Sequence, residues 1–331
     1  MVVKIGIVGC GGISYYHVNN LFQVENAKVV AFCDVSVERA RKLRDYVYRY
    51  RELKPNEMVY EDYKELITSE ELDGVYILTP HAYHFEQAMY ALQHNLHVLV
   101  EKPMCIKPEN ARRLIEEAER RKRVLLVSYQ RHYMPIFRYV KRVIGSGEIG
   151  NVRLITVRLG QDWIKPCTGT WRVNPDISGG GELIDSGSHV VDIVHWLVDK
   201  KPIEVFAHIY NDGAPVDVYS HVVIRLEGNI TAAITINGNY KAIWMEEEAI
   251  DGTDGTVYIR NGRVSIVKEG QTRIPMRLPP GSTPDANFIN CILGKEKNES
   301  PGIYGYIVAL VTQAAYRSAK EGKPVKLRFN R

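Results

Sequence analysis

Apolar and polar positions along the first 130 residues alternate in short blocks. Continuous apolar runs, typical of strands buried on both faces of a sheet, are separated by stretches with apolar residues at helical spacing. The predicted strands are 2–8, 28–33, 59–60, 74–78, 97–100 and 124–129, and the predicted helices are 13–21, 37–50, 62–67, 84–94 and 108–122. This order predicts an α/β fold in which helices cover a doubly wound parallel sheet.

Beyond residue 130 the pattern changes. Helices are predicted at 135–144, 183–197 and 305–320, with an irregular stretch at 161–181 and strands at 152–160, over most of 203–277 and at 325–329. Dipeptides such as Asp212-Gly213 and Asn237-Gly238 separate the strands, and such pairs are typical of hairpin turns. We therefore predict two domains: residues 1–130 form the doubly wound domain, and residues 131–331 form an α+β domain on a large, mostly antiparallel open sheet.

Charge and cysteine content narrow the function classes. The 331 residues carry 43 basic and 39 acidic side chains, a net charge of +4 that is too balanced to favour a nucleic-acid partner. The five cysteines include no Cys-x-x-Cys pair, so we expect no metal site and no disulfide framework, and a cytoplasmic location. The chain has no signal-peptide layout at its start and no apolar run of about 18 residues, so no membrane span is expected.

A glycine-rich loop, Gly9-Cys10-Gly11-Gly12-Ile13-Ser14, joins the first predicted strand to the first predicted helix. Gly9 allows a tight turn, and Gly11 lets the backbone approach a pyrophosphate at the helix N-terminus. Ser14 stands at the third position of the fingerprint, where Gly or Ala is usual, and is small enough for close helix–strand packing. The strand before the loop and the helix after it are the context that a dinucleotide site requires.

Asp34 ends the second predicted strand, 25 residues after Gly9. A carboxylate at this position can accept hydrogen bonds from the hydroxyls of the adenosine ribose and repels a 2′-phosphate, which favours NAD over NADP. Arg39 and Arg41 follow shortly afterwards and keep NADP open. The alternative is that Asp34 merely ends a strand.

Asp185, His189 and Asp192 are spaced so that they share one face of the predicted helix 183–197. The rest of that helix is apolar, and ionisable groups are costly to bury, so the cluster indicates function. The alternative is a His–Asp pair that fixes the helix. Lys102 follows the strand 97–100, at the edge of a parallel sheet where ligands bind, although taken alone it is better explained as a surface lysine at a strand end.

Together these segments resemble the Gfo/Idh/MocA oxidoreductases, which include glucose–fructose oxidoreductase and inositol dehydrogenase. The resemblance covers essentially the whole chain and rests on Gly9–Ser14, Thr79-Pro80 with His84, Glu101-Lys102-Pro103, Gln130-Arg131 with Pro135, Trp171-Arg172 and Gly179–Asp192. It implies an NAD(P)-binding Rossmann domain followed by a domain for substrate binding and oligomer contacts. A homodimer or homotetramer is therefore expected.

The resemblance also implies roles for single residues. Lys102, Asp185 and His189 match the catalytic group beside the nicotinamide. With the glycine loop and Asp34, the implied cofactor site comprises Gly9, Gly11, Gly12, Ile13, Asp34, Thr79, Pro80, His84, Glu101, Lys102 and Gln130. His81 stands where Asn is common in the family, so this chain departs from the family pattern at that position.

The implied reaction is oxidation of a secondary ring hydroxyl of a sugar, sugar derivative or cyclitol by hydride transfer to NAD, or to NADP. His189 would take the hydroxyl proton as general base, and Lys102 would stabilise negative charge on the same oxygen. Asp185 would hold His189 or a neighbouring hydroxyl. These three residues would also contact the substrate.

The irregular stretch 161–181 is the natural substrate loop. Trp163 and Trp171 can stack on the apolar face of a sugar ring, and Arg172 can bond hydroxyls or a phosphate. The alternative for either tryptophan is that it packs beneath the loop.

Two other functions stay open at this level. The first is an NAD-dependent glycosidase or epimerase that oxidises its substrate only transiently. The second is a non-catalytic sensor that binds a dinucleotide. The joint presence of Lys102, Asp185 and His189 favours catalysis.

Overall fold

The computed structural model describes residues 1–51 and 58–329. Contacts divide the chain into two compact units. The first consists of Met1–Cys105, Glu109–Gln130 and Ser282–Tyr306, and the second of Ile106–Pro108, Arg131–Gly281 and Ile307–Arg331. That residues 1–130 and 131–331 are the two domains stays a prediction. By its contacts, the first unit also includes the segment Ser282–Tyr306.

The helices and strands follow one another along the chain in alternation at first and as a run of strands later. In chain order they are β1 Val3–Val8, α1 Gly12–Phe22, β2 Ala27–Cys33, α2 Val37–Arg51, β3 Met58–Tyr60, α3 Tyr63–Ser69, β4 Gly74–Ile77, α4 His81–Gln93, β5 His97–Val100, α5 Pro108–Arg121, β6 Leu125–Val127, α6 Pro135–Gly145, β7 Val152–Asp162, α7 Ile164–Cys167, α8 Pro175–Ser178, α9 Gly187–Val198, β8 Pro202–Tyr210, β9 Tyr219–Leu226, β10 Ile230–Asn237, β11 Asn239–Gly252, β12 Thr256–Arg260, β13 Arg263–Lys268, β14 Gln271–Arg273, α10 Pro284–Ile292, α11 Gly302–Glu321 and β15 Val325–Lys326.

The first unit contains a parallel sheet with the strand order β3-β2-β1-β4-β5-β6. All but one of the six residues of β1 are buried, as expected for a strand covered on both faces. This order confirms the predicted doubly wound sheet. From β1 the chain adds β2 and β3 on one side of the sheet and β4, β5 and β6 on the other, so the strand order reverses between β1 and β4. Ligands of such sheets bind at this point, outside the carboxyl ends of the strands.

The segment Ser282–Tyr306 packs on this sheet through α10. Thr283 caps the helix by accepting a hydrogen bond from the backbone N–H of Ala286, and Pro284 stands in the first turn, where its missing N–H costs nothing. Phe288 is fully buried in the core of the first unit. A Cβ at Gly74 would lie 3.2 Å from the Phe288 ring and 3.0 Å from the carbonyl oxygen of His97, so this glycine allows the close packing.

The second unit is built on a sheet with the order β14-β13-β12-β11-β7-β10-β9-β8-β15 among the described residues. Strands β7 and β10 pair in parallel, and the other neighbours are antiparallel. Burial alternates along β9 and β10, so one face of the sheet is buried and the other is more open. The predicted large, mostly antiparallel sheet is confirmed.

Within residues 1–51 and 58–329, no helix is long and apolar enough to cross a membrane. The same residues contain no group of three or more His, Cys, Asp or Glu side chains placed to hold a metal ion.

Candidate active site

The glycine-rich loop follows β1 at the carboxyl edge of the parallel sheet. Gly9 has a φ of +96°, and a Cβ there would lie 2.6 Å from the carbonyl carbon of Leu78, so only glycine fits. Gly11 is the N-cap residue of α1 and has no side chain with which to cap it. Among the described atoms, none lies within 4 Å of a Cβ built at Gly11 or Gly12. The loop therefore leaves room for an anion against the N-terminus of α1.

Ser14 and Ile13 complete the start of α1. The Ser14 side chain is buried, and its hydroxyl donates a hydrogen bond of 2.6 Å to the carbonyl oxygen of Gly11. Serine therefore preserves the close helix–strand packing that a smaller residue usually provides here. Ile13 is 37% exposed at the outer side of the loop.

Asp34 is buried where β2 ends, and its two carboxylate oxygens are both engaged. Oδ2 accepts from the backbone N–H of Cys10 at 2.9 Å, and Oδ1 accepts from Ser36 N–H at 2.8 Å and from Arg39 at 2.7 Å. Burial raises the pKa of Asp34, but the bonds from Arg39 and from the backbone outweigh it, so the pKa lies below its ordinary value. Asp34 is therefore an ionised carboxylate tied to the glycine loop.

His84 connects the segments that follow β4 and β5. Its imidazole is fully buried, with one ring nitrogen 2.7 Å from the carbonyl oxygen of Thr79 and the other 2.9 Å from that of Pro103. Burial lowers the pKa of His84, although its two contacts with carbonyl oxygens oppose the shift. Thr79 donates its hydroxyl to Gln87. His84 therefore braces the edge at which the predicted cofactor residues Thr79 and Pro80 lie.

Glu101 and Lys102 follow β5 at the same edge. Glu101 is buried, and its Oε2 accepts the backbone N–H of Lys102 at 3.1 Å. Its Oε1 lies 3.1 Å from Nε2 of His17 in α1. The Lys102 side chain is half-buried, and the Lys102-Pro103 peptide bond is cis. Gln130, also half-buried, begins a 3₁₀ turn after β6.

In the second unit, the predicted helix 183–197 is wrong at its start. Helix α9 begins at Gly187, and residues 182–186 form turns. The carboxylate of Asp217 accepts the backbone N–H groups of Gly181 and Leu183, at 2.7 and 2.8 Å. This buried tertiary contact, together with the weak helix formers Gly and Ser around position 187, outweighs the helical pattern. Asp185 therefore precedes the helix and does not share a helix face with His189.

Asp185 binds the irregular stretch that precedes it. Its Oδ2 accepts from the indole N–H of Trp163 at 2.9 Å and from Nε of Arg172 at 3.0 Å. Trp163 is 2% exposed and packs with Cys167 and Val216 beneath the loop. The position of Trp163 thus fits the alternative that this tryptophan packs beneath the loop and does not stack on a sugar ring.

Trp171 and Arg172 lie closer to solvent. Trp171 is half-buried, and the guanidinium of Arg172 stands 4.6 Å above its ring. The Arg172 side chain is 41% exposed, although it pairs with the buried Asp185. The pair presents a positive charge and an aromatic ring together.

His189 lies in the first turn of α9 and is half-buried. One turn later, Asp192 is fully buried and its Oδ2 lies 2.8 Å from Nε2 of His132. The His132 ring stacks on Trp196 with the ring centres 4.5 Å apart. Asp192 therefore takes part in a structural His–Asp pair, whereas His189 is only partly buried.

Residues 3–129 match the family model described as an oxidoreductase family with an NAD-binding Rossmann fold, and residues 137–258 match the model of the GFO/IDH/MocA C-terminal domain. The chain belongs to the Gfo/Idh/MocA family. It is an NAD(P)-dependent oxidoreductase with an NAD-binding Rossmann domain, as the resemblance predicted.

Named relatives of this Gfo/Idh/MocA chain act on sugars and cyclitols. D-glucoside 3-dehydrogenase of Escherichia coli K12 is 24% identical over 98% of this chain and 97% of its own length. Myo-inositol 2-dehydrogenase of Thermotoga maritima is 25% identical over 80% of this chain and 77% of its own length.

Solved structures share the fold. The aldose-aldose oxidoreductase of Caulobacter crescentus superposes with a TM-score of 0.88 at 21% identity, covering 99% of this chain and 100% of that one. The WlbA dehydrogenase of Bordetella pertussis, in complex with NADH and UDP-GlcNAcA, gives 0.88 at 23% identity and covers both chains completely.

The structure adds residues that the sequence patterns did not single out. His17 and Asp285 join Glu101 in the first unit, and His132 joins Asp192 in the second. The available signal for His17 was a histidine on the buried face of α1, between Ser14 and Leu21. For His132, the signal was its place directly after the Gln130-Arg131 motif.

Proposed function

We propose that this oxidoreductase oxidises a secondary ring hydroxyl of a sugar, sugar derivative or cyclitol, with NAD as its preferred cofactor. The observation that carries this proposal lies in the first unit. The open glycine loop, the ionised Asp34 and the Glu101-Lys102 turn all lie at the carboxyl edge of one parallel sheet. The printed names of the relatives support a polyhydroxylated substrate.

The residues of the first unit fit a dinucleotide. The space beside Gly11 and Gly12 accommodates a pyrophosphate against the N-terminus of α1. Asp34 favours the ribose hydroxyls of NAD and repels the 2′-phosphate of NADP. Arg39, which sequence alone left as a possible phosphate ligand, is already bonded to Asp34, so its charge is partly neutralised. These features support NAD over NADP.

When bound, the nicotinamide supplies the hydride acceptor. We assign to His189 the removal of the proton from the substrate hydroxyl, an effect worth about 10²–10⁴-fold in rate. We assign to Lys102 a hydrogen bond to the same oxygen, where its ammonium stabilises developing negative charge. Trp171 and Arg172 bind the sugar ring and its hydroxyls. Because Asp185 bonds Trp163 and Arg172, its role in this proposal is to fix the substrate loop.

We also propose a homodimer or homotetramer formed through the open face of the second unit's sheet. On that face an uncharged row crosses neighbouring strands in register and consists of Phe206, Val223, Ala233, Thr156, Ala249 and Tyr258. Val223 is 40% exposed in the single chain. Light scattering after gel filtration tests this proposal, and a shift to monomer in Val223→Lys would locate the contact.

A cytoplasmic location completes the proposal. All five cysteines carry free thiols. Burial raises the pKa of Cys33 to about 12, which keeps this thiol unreactive. Fractionation of the source cells tests the location.

The direct test is incubation of the purified protein with NAD and, separately, NADP against a panel of inositols, aldoses, sugar acids and glycosides. Absorbance of the reduced nicotinamide and product formation are followed in parallel. Reduction with one substrate class supports the dehydrogenase and names its cofactor. Product without net reduction would replace it with transient oxidation by a glycosidase or epimerase, and tight dinucleotide binding without turnover would favour a sensor.

A further inference from the structure

A buried histidine joins three elements of the first unit. His17 lies on α1 and is fully buried. Its Nδ1 is 2.8 Å from Oδ1 of Asp285 on α10, and its Nε2 is 3.1 Å from Oε1 of Glu101 after β5. Asp285 is also fully buried, and its other oxygen accepts from Asn20 at 2.8 Å. The imidazole thus bridges two buried carboxylates directly.

Electrostatics decide the protonation of this bridge. Burial lowers the pKa of His17, but the attraction of Asp285 and Glu101 outweighs it and raises the pKa to about 10. Burial likewise raises the pKa of Glu101, but the bond and the charge of His17, together with smaller contributions such as the charge of Lys102, outweigh it and hold that pKa below its ordinary value. At neutral pH both ring nitrogens of His17 therefore carry protons, and each donates to an ionised carboxylate.

The remaining groups around the bridge come from the neighbouring elements. Tyr76 of β4 contacts the imidazole edge-on, with the ring centres 5.5 Å apart. Tyr16 precedes His17 on α1, and burial raises the pKa of its hydroxyl. Lys102 adds a positive charge that helps to lower the pKa of the Glu101 carboxyl. Near pH 7 the bridge is therefore a cation between two anions, and only Lys102 adds a further charge among these neighbours.

Glu101 links the His17 bridge to the backbone of Lys102. The oxygen of Glu101 that does not face His17 accepts the backbone N–H of Lys102 at 3.1 Å. A continuous chain of bonds therefore runs from the helix that begins at the glycine loop, through the imidazole and the carboxylate, to the backbone of the lysine. No other part of the proposed mechanism uses His17 or Asp285.

We propose that His17 is a positioning residue that holds the backbone of Lys102 in place through Glu101, and so fixes the lysine relative to the glycine loop of the same unit. This inference rests on the proposed role of Lys102. The competing explanation is that His17 only stabilises the fold. The two explanations differ in which of the two imidazole bonds matters for turnover.

Two substitutions of His17 test its bond to Glu101 and its bond to Asp285 separately. In His17→Gln the amide nitrogen replaces Nε2 and keeps the bond to Glu101, whereas in His17→Asn it replaces Nδ1 and keeps only the bond to Asp285. Both variants lose the positive charge, so we expect both to lower the melting temperature. We expect kcat to fall about tenfold or more in His17→Asn and much less in His17→Gln, with the Kd for NAD little changed in either.

His97 offers a matched control in the same unit. It begins β5, at the opposite end of the strand that Glu101 follows, and its Nδ1 accepts the backbone N–H of Val124 at 2.9 Å. Burial lowers the pKa of His97 to about 4, so this ring is neutral. We expect His97→Asn to lower the melting temperature while leaving kcat and the exchange behaviour of Lys102 unchanged.

A readout independent of turnover is hydrogen exchange at the backbone N–H of Lys102, measured on the dinucleotide-free protein. We expect faster exchange in His17→Asn and slow exchange, as in the wild type, in His17→Gln and His97→Asn. Equal exchange in the two His17 variants would overturn the inference, even if no substrate had been found. Full kcat in Lys102→Ala would instead refute the proposed role of Lys102, and wild-type kcat in His17→Asn beside an inactive Lys102→Ala would refute only the positioning role.

A pH profile gives a further separation. Without the imidazolium, the buried Glu101 loses the bond that lowers its pKa, and a protonated Glu101 accepts the Lys102 N–H more weakly. We therefore expect kcat of His17→Asn to fall towards acid pH at a point where the wild type shows no inflection. The double variant His17→Asn/Glu101→Gln should lack this inflection. An unchanged profile in His17→Asn would support the purely structural explanation.

Discussion

The indole N–H of Trp163 donates a hydrogen bond of 2.9 Å to Oδ2 of Asp185. Both groups are buried, and Arg172 donates to the same oxygen. This shared acceptor links the beginning and the middle of the irregular stretch to the turn before α9. Asp185 therefore shapes the loop that we propose to bind substrate.

Removing one donor from this carboxylate separates stability from binding. In Trp163→Phe, Asp185 keeps Arg172 but loses the indole bond, so we expect a loss of about 1.5–3 kcal/mol in the free energy of unfolding. Denaturant unfolding measures this loss.

In Asp185→Asn the ion pair with Arg172 is lost, and we expect the substrate KM to rise more than kcat falls. A large fall in kcat at unchanged KM would mean that Asp185 acts on the reacting group itself.

The two glycines of the phosphate loop differ in what they tolerate. Gly9→Ala forces a side chain into a positive φ and against the backbone of Leu78, so we expect loss of the folded protein or a large fall in melting temperature. Gly11→Ala meets no described atom and keeps a φ of −78°, so its melting temperature should match the wild type. Its added methyl fills the proposed pyrophosphate space, and we expect the Kd for NAD to rise about tenfold or more. Isothermal titration and thermal unfolding report the two quantities, and tight NAD binding by folded Gly11→Ala would contradict the proposed cradle.

Asp34 governs the predicted choice between NAD and NADP. Asp34→Ser removes the negative charge and releases Arg39 to bind a 2′-phosphate, so the ratio of the Kd for NADP to the Kd for NAD should fall about tenfold or more. Asp62→Ser is the matched control, because Asp62 caps α3 by accepting the N–H of Lys64 and serine can cap in its place. An unchanged ratio in Asp34→Ser would remove this carboxylate from the cofactor site.

We expect Glu248 to make the stability of the folded protein depend on pH. Burial, reinforced by the charge of Glu246, raises the pKa of Glu248 to about 9, whereas the unfolded chain deprotonates near its ordinary value. The folded state thus binds the extra proton between these values, and the contribution of Glu248 to stability falls as pH rises, by up to about 1.4 kcal/mol per pH unit. In Glu248→Gln this contribution is absent, so its melting temperature relative to the wild type should be higher at pH 8 than at pH 5. The same difference at both pH values would show that Glu248 is ionised when folded.

The sequence patterns predict most of the fold because burial on both sheet faces leaves continuous apolar runs, as in β1 and β5. They fail where a distant contact outweighs a local pattern. Asp217 fixes the turn before α9 from more than 30 residues away, so the helical spacing of Asp185 and His189 is misleading. The return of α10 to the first unit has no local signature either.

In the candidate site, too, local sequence patterns could be recognised and distant tertiary contacts could not. The glycine loop and Asp34 could be found from sequence because a dinucleotide site requires fixed residue types at fixed spacing. The bridge from His17 to Asp285 could not, because its partners are separated by 268 positions and the bond depends on tertiary packing. Likewise, only the structure shows that Trp163 is packed and that Trp171 is half-exposed.

The central claim is that Lys102 acts on the reacting oxygen and not on cofactor binding. The most direct test compares Lys102→Ala with the wild type for kcat, using the substrate that the panel identifies, and for the Kd for NAD by fluorescence titration. The account predicts that kcat falls about 10²–10³-fold while the Kd for NAD stays within about threefold. A loss of NAD binding as large as the loss of kcat, or unchanged turnover, would contradict it.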